Sequence, residues 1–369
     1  MASLLFKKIR VIRMLLTLSI PVISVSRVQA EPQVPCLFIF GDSLLDNGNN
    51  NAISSLANTN YQPYGIDFPD GPTGRFCNGR TAGDIIAQLL GFIDFIPPYA
   101  TASGKDLLRG ANYASGAAGI RIETGRQYGA RISMNGQLQN HRSVISQVVN
   151  ILGTSDAATN HLQNCIYMVG MGSNDYLNNY FMPLIYGTSW RYTPDQYANV
   201  LIEQYSQQLR TLYDYGARKV ALIGIGPIGC TPFEITRSSI NDLSCDERIN
   251  SANQLFNDRL KNLVDELNND LQDAKFSFVN AYGIFSDIFQ NATSYGFRFS
   301  TTACCGLGRN NGIITCLPHQ IPCANRSEYL YWDAFHPTEA ANLIIARRTY
   351  NAQSPLDVYP IDIHSMALL

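Results

Sequence analysis

The sequence predicts an α/β fold built on a parallel β-sheet, and two observations lead to that prediction. Short, uniformly apolar runs recur along the chain, and longer segments with apolar residues at helical spacing separate them. Runs of about five apolar residues are too short for helices, and their lack of alternation is typical of parallel strands buried on both faces. Strands that alternate with helices indicate crossover connections and therefore a parallel sheet.

The strand candidates are these apolar runs. The strong ones are 36–40 (CLFIF), 166–170 (IYMVG), 219–227 (KVALIGIGP) and 275–285 (KFSFVNAYGIF), and 109–115 (RGANYAS) is a weaker one. Glycine, asparagine or proline occurs within or directly after each strong run, so each strand is expected to end in a turn.

The helix candidates lie between the strands. They are 80–91, 141–152, 197–217 and 248–271. The first ends at Gly91 and the third ends near Gly216, as expected from the preference for glycine after the last helical turn. Because no repeat and no linker rich in Pro, Gly or Ser divides residues 31–369, we interpret them as a single domain.

The bulk composition bounds the function. The 369 residues are 46% hydrophobic and 15% charged, which is ordinary for a globular protein. A net charge of −2 indicates no basic surface for nucleic acid. No stretch after residue 30 reaches the roughly 18 apolar residues of a membrane span, so no transmembrane segment is expected in the mature chain. The sequence indicates no particular oligomeric state.

Residues 1–30 have the organisation of a secretory signal peptide. Lysines and arginines precede the apolar stretch 14–25, and small residues stand near a cleavage point after Ala30. A membrane anchor is the alternative, but this stretch is shorter than the ~20 residues that span a bilayer and contains Pro21. The protein is therefore predicted to be secreted to the extracellular space.

Cysteine usage agrees with an oxidising compartment. Four of the nine cysteines lie within 303–323, and two of these, Cys304 and Cys305, are adjacent. Adjacent cysteines are poor metal ligands, so disulfides are expected in this loop and no metal site is predicted. Cys230 and Cys245 bracket another loop and form a further candidate pair.

The remaining cysteines include two in apolar, strand-like runs. Cys36 and Cys165 are expected to be buried, inert thiols, which is the usual state of a cysteine in such a run. The odd number of cysteines leaves at least one thiol without an intramolecular partner.

Two acceptor sequons are present, at Asn291 and Asn325. In a secreted chain both are predicted N-glycosylation sites, and hence surface positions.

Polar motifs follow the strand candidates or lie near the chain end. They are Gly41-Asp42-Ser43, Asn112-Tyr113-Ala114-Ser115-Gly116, Gly172-Ser173-Asn174-Asp175 and Asp333-Ala334-Phe335-His336-Pro337. Because functional sites of parallel sheets form at the carboxyl ends of the strands, these motifs are expected to converge. Together they offer a hydroxyl, backbone donors, an amide and an Asp/His pair, which is the set that acyl transfer requires.

The chemistry assigns a role to each residue. Ser43 is the candidate nucleophile, and a serine hydroxyl needs a base such as His336 to take its proton. Asp333, three residues earlier, can orient that imidazole. The Ser43 and Gly116 backbone N–H groups and the Asn174 side chain are candidate oxyanion donors.

Other readings of the same residues remain open. Gly119 is an alternative to Gly116 as the backbone donor. Gly41-Asp42-Ser43 also suits a simple turn, and Asn174 or Asp333 could cap a helix. The joint occurrence of the motifs, in this order after successive strands, favours catalysis.

These motifs resemble those of the GDSL lipase/esterase family of the SGNH-hydrolase superfamily, in its large secreted plant branch. The residues that carry the resemblance are Phe38-Ile39-Phe40-Gly41-Asp42-Ser43, Asp46-x-Gly48-Asn49-Asn50, 112–116, 172–175 and Asp333-x-x-His336-Pro337. The segments 74–80 and 304–306 match too, so the resemblance covers roughly residues 34–350. The resemblance assigns the Ser, Gly, Asn and His residues that give the SGNH superfamily its name to Ser43, Gly116, Asn174 and His336. Leu44 and Leu45 follow the serine, so the Gly-x-Ser-x-Gly elbow of α/β-hydrolases is absent.

The resemblance implies a fold and an activity. The fold is a three-layer α/β/α sandwich, flavodoxin-like, with a mainly five-stranded parallel sheet. The activity is that of a serine carboxylic ester hydrolase that forms an acyl-serine intermediate, acts on a small-molecule or lipid ester, and uses no cofactor. An acyltransferase with the same site, or a non-catalytic binding protein on the same scaffold, is the alternative.

The sequence does not select the substrate. The aromatic and apolar segment 181–195 suits either a lipid-facing cleft or a buried loop.

Overall fold

A five-stranded sheet in the spatial order β1-β2-β3-β4-β7 forms the centre of the computed structural model, which describes residues 31–238 and 243–369. The predicted signal segment 1–30 lies outside the described residues. The strands are β1 (Leu37–Gly41), β2 (Ile166–Gly170), β3 (Lys219–Ile223), β4 (Lys275–Val279), β5 (Phe299–Ala303), β6 (Tyr329–Tyr331) and β7 (Val358–Tyr359). Strands β1 to β4 are parallel, and β7 pairs antiparallel with β4.

The weak strand candidate 109–115 runs beside β1 without forming a named strand. It is joined to β1 by an isolated parallel bridge, Ile39 to Asn112, and by alternating backbone hydrogen bonds such as Tyr113 N to Ile39 O at 2.7 Å. If this segment is counted as the second strand along the chain, the first five extended segments stand in the order 2-1-3-4-5. That is the flavodoxin-like order, whose switch point lies between β1 and β2.

Helices cover both faces of the sheet and complete the predicted three-layer α/β/α sandwich. They are α1 (Ala82–Leu89), α2 (Met134–Leu152), α3 (Ser155–Gln163), α4 (Ser173–Asp175), α5 (Thr188–Arg191), α6 (Pro194–Asp214), α7 (Pro232–Ser238), α8 (Glu247–Asp270), α9 (Ala281–Gln290), α10 (Glu339–Tyr350) and α11 (Ile363–Ala367). Among the described residues, no helix is both long and apolar enough to cross a membrane.

Alternate strand residues face the two helical layers. Phe38 and Tyr167 belong to the core shared with α2, α6 and α8, whereas Ile39 and Met168 belong to the core shared with α1, α9, α10 and α11. Burial on both faces explains why the strands are uniformly apolar. Residues Pro32–Leu369 form one compact unit.

Disulfides cross-link two loops, as the cysteine positions predict. Cys304 pairs with Cys323 and Cys305 pairs with Cys316, both in the loop that follows β5. Cys230 pairs with Cys245.

The prediction of inert thiols at Cys36 and Cys165 is wrong, because these two residues form a disulfide with each other. The sheet register explains the pairing. Leu37 and Ile166 are directly paired in the β1–β2 ladder, so the residues before them stand side by side, with Cα atoms 4.7 Å apart. The unpaired cysteine is Cys77, which is buried.

Loss of the Cys36–Cys165 bridge is predicted to destabilise the protein more than loss of the free thiol of Cys77 does. It joins residues 129 positions apart, and closing so long a loop restricts the unfolded chain strongly. Replacing both residues by alanine should lower the free energy of unfolding by about 3–5 kcal/mol in denaturant titrations. The matched control Cys77→Ala should cost about 1 kcal/mol or less. Equal losses in the two variants would contradict the prediction.

Candidate active site

Ser43 lies on a tight turn at the carboxyl end of β1. The backbone carbonyl of Asp42 accepts hydrogen bonds from Leu45 N at 3.1 Å and Asp46 N at 2.9 Å, which closes the turn. Gly41 is required at the end of the strand, because a Cβ there would lie 3.0 Å from the carbonyl oxygen of Gly170. The turn presents the Ser43 side chain at the edge of the sheet.

Three of the predicted residues form a continuous chain of hydrogen bonds. The Oγ atom of Ser43 lies 2.8 Å from Nε2 of His336, and Nδ1 of His336 lies 2.8 Å from Oδ1 of Asp333. Asp333 is fully buried and His336 is nearly so. The nucleophile, base and orienting acid expected from the sequence are therefore within hydrogen-bond reach of one another.

The loop around Asp333 orients the carboxylate. Its Oδ1 atom also accepts the backbone N–H groups of Phe335 at 2.9 Å and His336 at 2.8 Å. Its Oδ2 atom accepts the Tyr64 hydroxyl at 2.6 Å. Burial by itself raises the pKa of Asp333, but the charge and hydrogen bond of His336, with those of Tyr64 and Phe335, outweigh burial and lower it. The carboxyl group is thus ionised at neutral pH.

Sequence reasoning missed two residues that hold this arrangement. Tyr64 reaches Asp333 from 269 residues away, and the ring of Phe76 lies 5.1 Å from the imidazole of His336. Neither has a catalytic residue type or a strand-end position. For Phe76 the only available signal was its place in the 74–80 segment that carries the family resemblance.

Two of the predicted oxyanion donors, the Ser43 N–H and the Asn174 amide, belong to residues that border the same cavity. Ser43 and Asn174 line the same cavity, and within the described residues the Ser43 backbone N–H has no hydrogen-bond acceptor. The Nδ2 atom of Asn174 donates to the carbonyl oxygen of Ala118 at 2.9 Å and approaches Oδ2 of Asp42 at 3.3 Å. The first bond orients the amide, and the second, longer contact is the weaker one.

Gly116 is placed differently from the other two. Its backbone N–H donates to Oδ2 of Asp46 at 3.0 Å, so that proton is already bound to an internal acceptor. At the alternative position, Gly119, a Cβ would lie 2.7 Å from Oδ2 of Asp175. Among the described residues that line the cavity with Ser43, neither glycine appears. As a third oxyanion donor, Gly116 stays a prediction.

Buried aspartates connect the loops of the site. Asp46 accepts the N–H groups of Gly48 and Asn49, at 2.8 and 2.9 Å, besides that of Gly116. Asp175 accepts the N–H of Ile120 at 2.8 Å in the same way. Burial raises the pKa of both carboxyl groups to about 6, although their backbone hydrogen bonds oppose that rise.

A mostly apolar cavity of about 160 Å³ opens beside the serine. Asp42, Ser43, Asn174 and His336 line it, with aliphatic and aromatic side chains from both faces of the sheet edge. The segment 181–195 is not part of its lining, and Leu184 and Trp190 in that segment are 96% and 74% exposed. The segment is therefore neither a wall of this cavity nor a buried loop as a whole, although Tyr186 within it is buried.

One group of potential metal ligands occurs among the described residues. It consists of Cys36, His161 and Cys165, and both of its sulfur atoms are in the disulfide described above. It lies apart from the cavity, whose lining includes none of the three residues.

Sequence comparison identifies the family. The profile of the GDSL-like lipase/acylhydrolase family matches residues 37–349. This chain belongs to that family. Its members are carboxylic ester hydrolases, so the recognised family and the predicted enzyme class are both confirmed.

Relatives with high sequence identity align with nearly the whole of this chain. One GDSL esterase/lipase of Arabidopsis thaliana is 57% identical over 356 residues, which are 96% of this chain and 98% of that protein. Another from the same plant is 60% identical over 346 residues, 94% of this chain and 95% of the other. Among solved structures, a phospholipase A1 from Streptomyces albidoflavus NA297 aligns with 84% of this chain and 94% of its own at 13% identity. Its TM-score of 0.31 is too low to support a structural argument.

Asp42 is predicted to contribute an ionisation to the pH dependence of hydrolysis. Burial raises its pKa to about 6, so it is charged above that pH, where it faces His336 and Asn174, and neutral below it. In Asp42→Asn the acid side of the profile of kcat/KM against pH should lose the component near pH 6 and become less steep. The exposed control Asp70→Asn should keep the wild-type profile. An unchanged profile in Asp42→Asn would contradict the assignment.

Proposed function

We propose that this enzyme hydrolyses carboxylic esters through an acyl-serine intermediate on Ser43, with His336 as general base and Asp333 as its orienting acid. The observation that carries the proposal is the chain of hydrogen bonds from Ser43 Oγ through His336 to Asp333, at 2.8 Å for both links. Its position at the mouth of an apolar cavity supports it, because such a cavity can bury the apolar portion of an ester substrate.

The reaction proceeds in two steps. In the first, His336 takes the proton of Ser43 as Oγ attacks the ester carbonyl carbon, and the imidazolium then protonates the departing alcohol. In the second, water attacks the acyl carbon while His336 takes a proton from it, and the imidazolium then returns that proton to Oγ as the Ser43–acyl bond breaks, which releases the carboxylic acid. The ionised Asp333 stabilises the imidazolium in both steps, because its pKa lies below the ordinary range.

The oxyanion of each tetrahedral intermediate is proposed to lie between the Ser43 N–H and the Asn174 amide. Two features support these donors. The Ser43 N–H is unpaired within the described residues. The Asn174 amide is held by its bond to Ala118 O, and its second hydrogen, in the long 3.3 Å contact with Asp42 Oδ2, would turn to the oxyanion. Gly116 would be a third donor, through a bifurcated hydrogen bond from its backbone N–H to Asp46 and to the oxyanion. Donors held in place before the reaction cost no reorganisation at the transition state.

The proposal extends to the maturation of the protein. Residues 1–30 would be removed as a signal peptide, leaving 31–369 as a single secreted domain. Four disulfides are consistent with an oxidising compartment. Asn291 and Asn325 are both exposed, as glycan attachment requires. Mass spectrometry of the secreted protein, before and after removal of N-glycans, tests both features.

Ser43→Ala should abolish hydrolysis without unfolding the protein. Removal of the nucleophile from such a triad lowers kcat by about 10⁴- to 10⁶-fold. The measurement is turnover of p-nitrophenyl esters by the purified mature protein, with circular dichroism to establish folding. The control Ser146→Ala alters an exposed serine on α2 and should keep wild-type turnover. Normal turnover in a folded Ser43→Ala variant would exclude Ser43 as the nucleophile.

Asn174→Ala should lower kcat with little change in KM. The amide would contact the oxyanion of the transition state more strongly than the carbonyl oxygen of the bound ester, so its loss should cost about 10²- to 10³-fold in kcat. Steady-state kinetics on one ester, beside the exposed control Asn160→Ala, measure the effect. A rise in KM at constant kcat would instead assign Asn174 to substrate binding.

A further inference from the structure

The cavity beside Ser43 continues past the sheet edge into the layer between the sheet and helices α9 and α10. Its inner part, here called the inner cavity, is lined by Leu45, Met168, Gly170, Ile223, Phe285 and Ile345. Met168 and Phe285 belong to the buried core on this face of the sheet, and Ile223 and Ile345 pack against that core. The inner cavity is thus an opening in the hydrophobic core that leads to the catalytic serine.

Strand β2 sets the entrance and the depth of the inner cavity. Gly170 is the last residue of β2, directly paired with Gly41 two residues before the serine. Met168, two residues earlier in the strand, points to the same face about 7 Å deeper. Gly170 has no side chain, so Leu45 and Ile223 pack closely over its Cα. A Cβ there would lie 3.2 Å from Cδ1 of Leu45 and 3.5 Å from Cβ of Ile223.

The chemistry of the walls selects the ligand. A sugar or other polyhydroxyl group would lose hydrogen bonds to water against these aliphatic and aromatic side chains, and each unpaired hydroxyl is costly to bury. The polar wall residues away from the catalytic group are few: Asn342 donates its amide to the Arg80 carbonyl oxygen at 3.0 Å, and Thr231, Tyr331 and Thr349 each carry one hydroxyl. An alkyl chain needs no partner there and gains from leaving water.

We propose that the inner cavity binds the alkyl chain of the acyl group, so that the enzyme prefers medium-chain acyl esters to acetyl esters. This inference rests on the proposed function of Ser43. The whole cavity, its catalytic end included, has a volume of about 160 Å³. At about 10–15 Å³ for each water-sized group it holds on the order of ten such groups, so an acyl chain of about eight carbons fits with its carbonyl at the catalytic end. The core-like walls exclude a cell-wall acetyl group as the preferred acyl portion.

The acyl portion is a better occupant than the alcohol portion for a kinetic reason. The alcohol must leave between the two steps, whereas the acyl chain stays attached to Ser43 until water releases it. A pocket that runs into the protein core suits the portion that stays.

The first experiment separates the two portions of the ester. With p-nitrophenyl esters from acetyl to palmitoyl, kcat/KM should rise about three- to fourfold for each added methylene, level off near octanoyl, and be at least about 100-fold higher there than for acetyl. With alkyl acetates, lengthening the alcohol should give no comparable gain. A gain that follows the alcohol, or an acetyl ester as good as octanoyl, overturns the inference.

The second experiment changes the cavity itself. Ile345→Phe, on helix α10, narrows the inner cavity away from the serine turn and should lower kcat/KM for the octanoyl ester at least tenfold while changing that for the acetyl ester less than threefold. Met168→Ala lengthens the cavity and should move the optimum to longer chains. If Ile345→Phe does not fold, Ile345→Met supplies the same test with a smaller change. Equal losses on both esters in a folded variant overturn the inference.

A binding measurement separates this inference from the proposed catalysis. Ser43→Ala cannot form an acyl-enzyme, and titration calorimetry should nevertheless show octanoate binding at least tenfold more tightly than acetate. Adding Ile345→Phe to Ser43→Ala should remove that difference. If octanoate binds but no ester is hydrolysed, the proposed function fails and the inner cavity stands. If esters are hydrolysed but octanoate binds no better than acetate, the inner cavity fails alone.

Discussion

The carboxylate of Asp46 is the contact on which the arrangement of the catalytic loops depends. It accepts backbone N–H groups of its own turn, at Gly48 and Asn49, and the N–H of Gly116 from a segment 70 residues away. One buried charge thereby links the loop that carries Ser43 to the segment that runs beside β1. Backbone groups buried in these loops need partners, because water does not reach them.

This linkage has an energetic cost that the backbone hydrogen bonds only partly offset. Burial raises the pKa of Asp46 to about 6, so the folded protein binds a proton more tightly than the unfolded chain does between about pH 4 and 6. The contribution of this carboxyl group to stability therefore falls as pH rises through that window and is constant above it. Asp175, which accepts N–H groups of the 120–121 segment, has the same behaviour. Asp333 is the opposite case, since it faces His336 and its pKa is lowered.

The order of the strands explains why the site and the inner cavity share one location. Ser43 follows β1 and Asn174 follows β2, the two neighbours between which the strand order reverses. The connections leave this point in opposite directions, which opens a crevice at the carboxyl ends of the strands. Glycines at the ends of both strands keep the crevice free of side chains, and the helical layer under it leaves room beside Met168.

The alternation of strands and helices, the family and the residues of the Ser-His-Asp chain could all be predicted from the amino-acid sequence. These features are local or carried by motifs: each strand is a short apolar run, and each site residue stands at a strand end or in a motif that resembles the family's. Helix bounds differed mainly where polar residues extend a helix, as in α2, which begins at Met134 rather than His141.

The contacts between distant residues became visible only in the folded chain. Tyr64 contacts Asp333, Cys36 pairs with Cys165, and Gly116 donates to Asp46, and each contact joins segments far apart in the chain. No local pattern encodes such contacts, because they depend on strand order and register. The inner cavity could not be predicted from the sequence for a similar reason. An apolar residue gives the same sequence pattern whether its side chain fills the core or lines a cavity in it.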